Sequence, residues 1–143
     1  MKIIIVIVFS MLFADRVDLG LVILDRIDEA SGIASSKNNL DLVWTHNDSG
    51  DLSKIYAIGL DGSYLGVLRL SGILPRDWED MCIGPGPEDD TDYLYIGDIG
   101  DNFSKKNKKR IHRIKEPIIN LDSLPIPFNI KIRDFETIVF KYP

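Results

Sequence analysis

Apolar residues along this chain come in short runs separated by Gly, Pro, Asn and Asp, and helix formers are concentrated nowhere. Residues 19–27, 33–36, 40–45, 55–58, 64–70, 81–83, 93–97, 111–114 and 130–142 are rich in Ile, Val, Leu and Tyr, which pack well on a pleated surface and predict strands. Asp61-Gly62 between two of these runs suits a tight hairpin, because both residues tolerate positive φ. Residues 117–127 carry Pro117, Pro125 and Pro127 and read as an irregular insertion.

The pattern occurs twice. SGIA (31–34) lies over DMCI (80–83), LVW over LYI, NDSGD over DIGDN, KIYAI over RIHRI, and GVLRL over TIVFK. Each round is a set of short strands with an acidic, amide-rich loop between the second and third. Units that repeat at about fifty residues bury their faces by stacking, and four-stranded units of that length are propeller blades. The expectation is an all-β chain: two four-stranded antiparallel blades of an incomplete β-propeller, blade one about 29–72 and blade two about 76–143. A β-sandwich has similar strand spacing but no reason to repeat its loop chemistry. Rings close with roughly four to eight blades, so the chain reads as the N-terminal part of something larger. Residues 19–27 match a fourth-strand position that has no blade of its own.

Residues 1–14, MKIIIVIVFSMLFA, place one Lys before an apolar run too short to span a bilayer. That is the layout of a secretory signal peptide, with an imperfect cleavage signal; a buried first strand is the alternative. The expected location is therefore secreted or extracytoplasmic, with membrane contact only through an uncleaved signal segment. The net charge of −5 disfavours nucleic acid as a partner and suits cations. Cys82 is the single cysteine, which excludes an intramolecular disulfide; Met81 and Ile83 around it predict a small buried residue.

Candidate chemistry gathers in the two loops, Asn47-Asp48-Ser49-Gly50-Asp51 and Asp98-Ile99-Gly100-Asp101-Asn102. Equivalent loops of successive blades share a face, so their oxygens would converge. Carboxylates and amides at short range suit Ca2+ or a polar ligand, with Asp48, Asp98 and Asp101 the candidate metal ligands. The competing reading is that Asp, Asn and Gly serve as turn residues tied to backbone amides. Position twelve from Asp98 is Lys109, not Glu, which excludes an EF-hand. Trp78, Glu79 and Asp80 open the second round. Trp78 is expected as a wedge between blades or an exposed platform. Glu79 and Asp80 alternate across a strand, so one of them joins the loop cluster. His46 and His112 lack the company of a nucleophile elbow or a metal-binding helix, and no catalytic residue is assigned. His112 is placed on an exposed or interblade face. The basic run 105–110 reads as a solvated hairpin tip, and Asn47 and Asn102 each begin an N-x-S acceptor sequence.

Taken together, EASGIASS, LVWTHNDSGD, KIYAIGLDGSYLG, RDWEDMCIGPGP, YLYIGDIGDN and RIHRIKEP resemble a group of secreted or periplasmic β-propellers, distantly similar to NHL-type and esterase-like phytase propellers. The resemblance covers about 29–143. It implies a ring of about six blades and an extracytoplasmic location, and carries no established catalytic residues. The function expected is a module binding a small polar ligand or a protein, with Ca2+ a candidate cofactor. The alternatives are a calcium-assisted phosphoester or carboxylester hydrolase, or a non-functional truncated product.

Overall fold

The computed structural model describes residues 16–142, so the expected signal segment at 1–14 lies outside the described residues. Nine strands follow in order: β1 (Ala30–Ser35), β2 (Leu42–Asn47), β3 (Lys54–Gly59), β4 (Tyr64–Leu70), β5 (Trp78–Pro85), β6 (Asp92–Asp98), β7 (Lys109–Lys115), β8 (Phe128–Ile132) and β9 (Glu136–Phe140). They form two sheets, β1-β2-β3-β4-β8 and β5-β6-β7-β9. Among the described residues no helix occurs that is long and apolar enough to cross a membrane. The all-β expectation holds, and each round supplies an antiparallel meander of four strands.

Three expectations need correction. Residues 130–142 are not one strand. Asp134 lies between β8 and β9, and β8 leaves the second round to pair in parallel with β4 at the edge of the first sheet. Phe128 meets Gly66 there, where an added Cβ would come within 2.3 Å of the Phe128 ring. Residues 19–27 form no strand either. They lie across the first sheet, with Leu24 and Ile27 on Tyr56, Ile58 and Val67. Leu21 sits against the β3–β4 turn, where Gly62 has φ 86° and an added Cβ would stand 2.3 Å from Leu21 O. Cys82, expected to be buried, is exposed.

Register supplies a finer correction. Both first strands carry a bulge at the same place, between Ala30 and Gly32 and between Trp78 and Asp80. Pairing from the bulges sets Gly32 against His46 and Asp80 against Gly97, then Trp44 against Ala57 and Tyr95 against Arg113. Trp44 thus corresponds to Tyr95, not to Ile96 as LVW over LYI had it. The first, second and fourth strands are each displaced by one residue from the sequence match, and the third is in register. Because strand side chains alternate, one residue decides which face a side chain takes.

With that register, the sheets stack face to back. The first turns Leu42, Trp44, Ile55, Ala57 and Leu68 toward the second, and the second answers with Met81, Leu94, Ile96 and Ile114. The residues of the second sheet that correspond to Trp44 and Ile55 are Tyr95 and Ile111, on its far side. The shared core is one cluster, in which each fully buried Leu or Ile contributes roughly 2 kcal/mol relative to exposure in water. β1 and β5 run beside each other at this junction, with the Ser31 hydroxyl donating to Glu79 O at 2.6 Å.

Candidate functional site

At the junction, three carboxylates meet where β2 ends and β5 begins. Asp48, just beyond β2, and Asp77 and Glu79, at the start of β5, offer oxygens that all lie within 4.8 Å of one another. Backbone hydrogen bonds fix them: Asp48 N donates to Glu29 O, Trp78 N to Asp48 O at 2.9 Å, and Gly100 N to Asp77 O at 3.1 Å. The β5 bulge falls at Glu79, skipping it in the ladder, so the strand carries Glu79 beside Asp77. Gly100 roofs the group. An added Cβ there would stand 2.3 Å from Glu79 Oε1 and 2.4 Å from Asp77 Cγ, so a side chain at this position would push the two carboxylates aside.

The cluster holds more negative charge than its surroundings balance. Lys106 Nζ lies 3.3 Å from Asp77 Oδ2 and bonds Gly100 O. Asp48 is pushed above the usual carboxylate range by burial, by its hydrogen bond to Asp77, and by the charges of Asp77 and Glu29. Burial first, then Asp48 and Asp77, also raise Glu79, against the opposing pull of Lys106. Asp48 Oδ1 is buried and receives no donor among the described residues. Such a set of hard oxygens suits a hard divalent cation, which supplies the missing charge and fills the idle lone pairs.

The residues expected to converge divide between this cluster and other tasks. Asp48 and Glu79 are in it. Asp77 joins them and was missed, although it stands beside Trp78 in the same acidic run. Asp98 is buried to 1% exposure and accepts from Arg76 N and Nε and, at 3.0 Å, from Asp77 N. Burial alone would raise it, but the adjacent His112 ring, Arg76 and the Asp77 amide hold it down to about 2. It therefore positions the strand that carries the cluster. Asp101 accepts from the Lys105 and Lys106 amides and from Lys109 Nζ, stapling its own loop. Asp51 is bonded by Lys54, by Tyr56 at 2.5 Å and by the Leu52 amide. Asp80 accepts from the Met81 amide and Asn102 is exposed.

Asn47 is buried, with its amide donating to Arg26 O at 2.7 Å. Trp78 is a wedge rather than a platform: at 1% exposure it packs edge-on against His46 at 5.5 Å and tilted against His112 at 6.0 Å. Burial lowers the His46 pKa, and the His46 Nδ1 stands 2.9 Å from Asn47 O. His112 faces the junction, with Nδ1 2.9 Å from Thr137 Oγ1.

A second carboxylate crosses the junction at the other end of β2. Glu116 follows β7 and is buried, yet it accepts from Ser36 Oγ at 2.5 Å, Trp44 Nε1 at 2.8 Å, Asn38 N at 3.1 Å and Lys37 N at 3.2 Å. Compared with protein-family models, curated proteins and solved structures, the chain matches none.

Proposed function

We propose that the two sheets are consecutive blades of a β-propeller acting outside the cytoplasm as a binding module. In this reading the Asp48–Asp77–Glu79 group holds calcium at the blade junction, and the cation presents a site for a small polar ligand or a protein surface. The observation that carries it is the group itself: three carboxylates within 4.8 Å, one with a buried oxygen that no donor serves. What supports the blade reading is the face-to-back stack, the matching bulges in β1 and β5, and the loops that follow β2 and β6 at one end of both sheets. Two sheets of a sandwich related by a twofold would bring equivalent faces together instead. The ligand set moves from the two loops expected from sequence to one loop and the start of the next strand. Asp98 and Asp101 keep structural roles.

Isothermal calorimetry with calcium chloride on the full chain tests the reading. Binding heat that disappears in Asp48→Asn and Glu79→Gln, while Asp101→Asn retains it, is the expected result. Titration without heat, or heat unchanged in both variants, removes the cation site.

A further inference from the structure

A second polar site lies beside the three carboxylates. Residues 26–29, leading into β1, run alongside the loop that joins β2 to β3, and a cavity of about 450 Å³ opens between them. Leu24 and Ile27 hold the leading segment on Tyr56, Ile58 and Val67 of the first sheet, which fixes this wall. Asn47, Asp51, Lys54 and Tyr56, all buried or half-buried, form the floor, and Arg26, Asp28, Glu29 and Ser49 form the rim.

Most of the floor is occupied with itself. Asp51 accepts from Lys54, from Tyr56 and from the Leu52 amide. Asn47 differs. Its Nδ2 donates to Arg26 O at 2.7 Å and to Asp28 Oδ1 at 3.3 Å, which fixes the way the amide is turned. That leaves Asn47 Oδ1 buried and without a donor among the described residues, in a residue that is 7% exposed. On the rim the charges are open. The Arg26 guanidinium bonds no acceptor among the described residues, although its carbonyl is held. Asp28 meets the Asn47 amide and Glu29 meets Ser49 Oγ at 3.4 Å, and neither meets a cation.

We infer that this cavity binds a small zwitterion of the α-amino acid type, with ammonium and carboxylate on one molecule. An ammonium carries three donors and no acceptor, and Asn47 Oδ1, Asp28 and Glu29 offer the acceptors. A carboxylate matches the guanidinium fork of Arg26. Each half of the ligand thus takes up a charge that the chain leaves unpaired. A sugar fits less well, because it brings no charge to Arg26. Tyr56, the aromatic residue of the lining, is 1% exposed with its hydroxyl bound to Asp51, so it offers no flat face to a sugar ring. The volume is that of a small-molecule site, and a polar lining suits a ligand with little apolar surface. The inference names the small polar ligand of the binding-module reading, and rests on that part of it rather than on the cation.

Thermal unfolding of the full chain in EDTA, with each proteinogenic amino acid in turn at roughly 10 mM, tests it. The expected result is that one or more amino acids raise the melting temperature by roughly 2 °C or more, while ethanolamine, propionate and glucose leave it in place. Arg26→Met and Asp28→Asn, both at exposed positions, should each abolish the rise, and Lys105→Met, exposed in the β6–β7 loop, should keep it. Curves unmoved by every amino acid would overturn the inference. So would a rise that survives both rim variants, or one that glucose, ethanolamine or propionate reproduces, meaning a polyol, a lone cation or a lone anion. The two readings fail separately. Calcium heat without any amino acid shift removes only the zwitterion site, and a shift in EDTA without calcium heat removes only the cation.

Discussion

The two ends of the sheet junction handle buried carboxylates in opposite ways. At one end Glu116 reaches from the second sheet into the first and accepts four hydrogen bonds, from Ser36, Lys37, Asn38 and Trp44. At the other, Asp48, Asp77 and Glu79 crowd together, with Lys106 as their nearby cation and one Asp48 oxygen idle. The same functional group is an adhesive where donors were provided and a burden where they were not. A buried charge stabilises only when its lone pairs are satisfied, and removing one partner costs more than the net worth of the pair. The end that is short of donors is the one where the proposed cation would bind.

Glu116→Ala should give the largest effect, since it strands the Trp44 indole N–H and two amides inside the junction. Urea unfolding should show a loss of about 3 kcal/mol or more. A variant within 0.5 kcal/mol of the parent would break the contrast. Asp98→Asn comes next, with a loss of about 2 kcal/mol, because Arg76 loses its charged partner while the Asp77 amide keeps an acceptor. The same residue sets an acid transition. Its folded pKa, about 2, lies below the ordinary 3.8, so its contribution is fully present above 3.8 and fades as pH falls toward 2. Unfolding free energy measured from pH 5 to 2 should fall for the parent and fall less for Asp98→Asn.

Asp48→Asn should have the opposite sign to Glu116→Ala. Without added metal, relief of repulsion should stabilise the chain by on the order of 0.5 kcal/mol, a small figure because the group is partly solvated. With calcium at roughly a hundred times its dissociation constant, the parent should gain about 2.7 kcal/mol and the variant little. Protons compete for the same oxygens. Asp48 and Glu79 titrate above the usual range, so calcium affinity should weaken as pH is lowered through their raised pKa values. Calorimetry at two pH values measures that.

The strand pattern was legible because each round alternates apolar runs with Gly- and Asp-rich turns. The residues that fell outside it had physical reasons. YLYIG in β6 is apolar on both faces, so period-two contrast could not fix its register, and Tyr95 rather than Ile96 took the place matched to Trp44. β8 was hidden because its strand signal merged with that of β9, and nothing local reveals that a segment pairs a whole sheet away. Residues 19–27 read as a strand because apolar β-formers extend as readily over a sheet face as within a ladder. At the site, an Asp that binds an amide and an Asp that awaits a cation look alike in sequence. Only the donors around Asp51, Asp98 and Asp101 separate them from Asp48.

The path of β8 has a consequence for how this chain is made. The first sheet takes its fifth strand from residues that leave the ribosome only after β7, so an N-terminal half released early would present β4 with a bare hydrogen-bonding edge. Closing that edge joins partners about sixty positions apart, a slow kind of contact to find. Biosynthesis therefore passes through a window in which the first round is exposed to strand invasion, and the second round ends it.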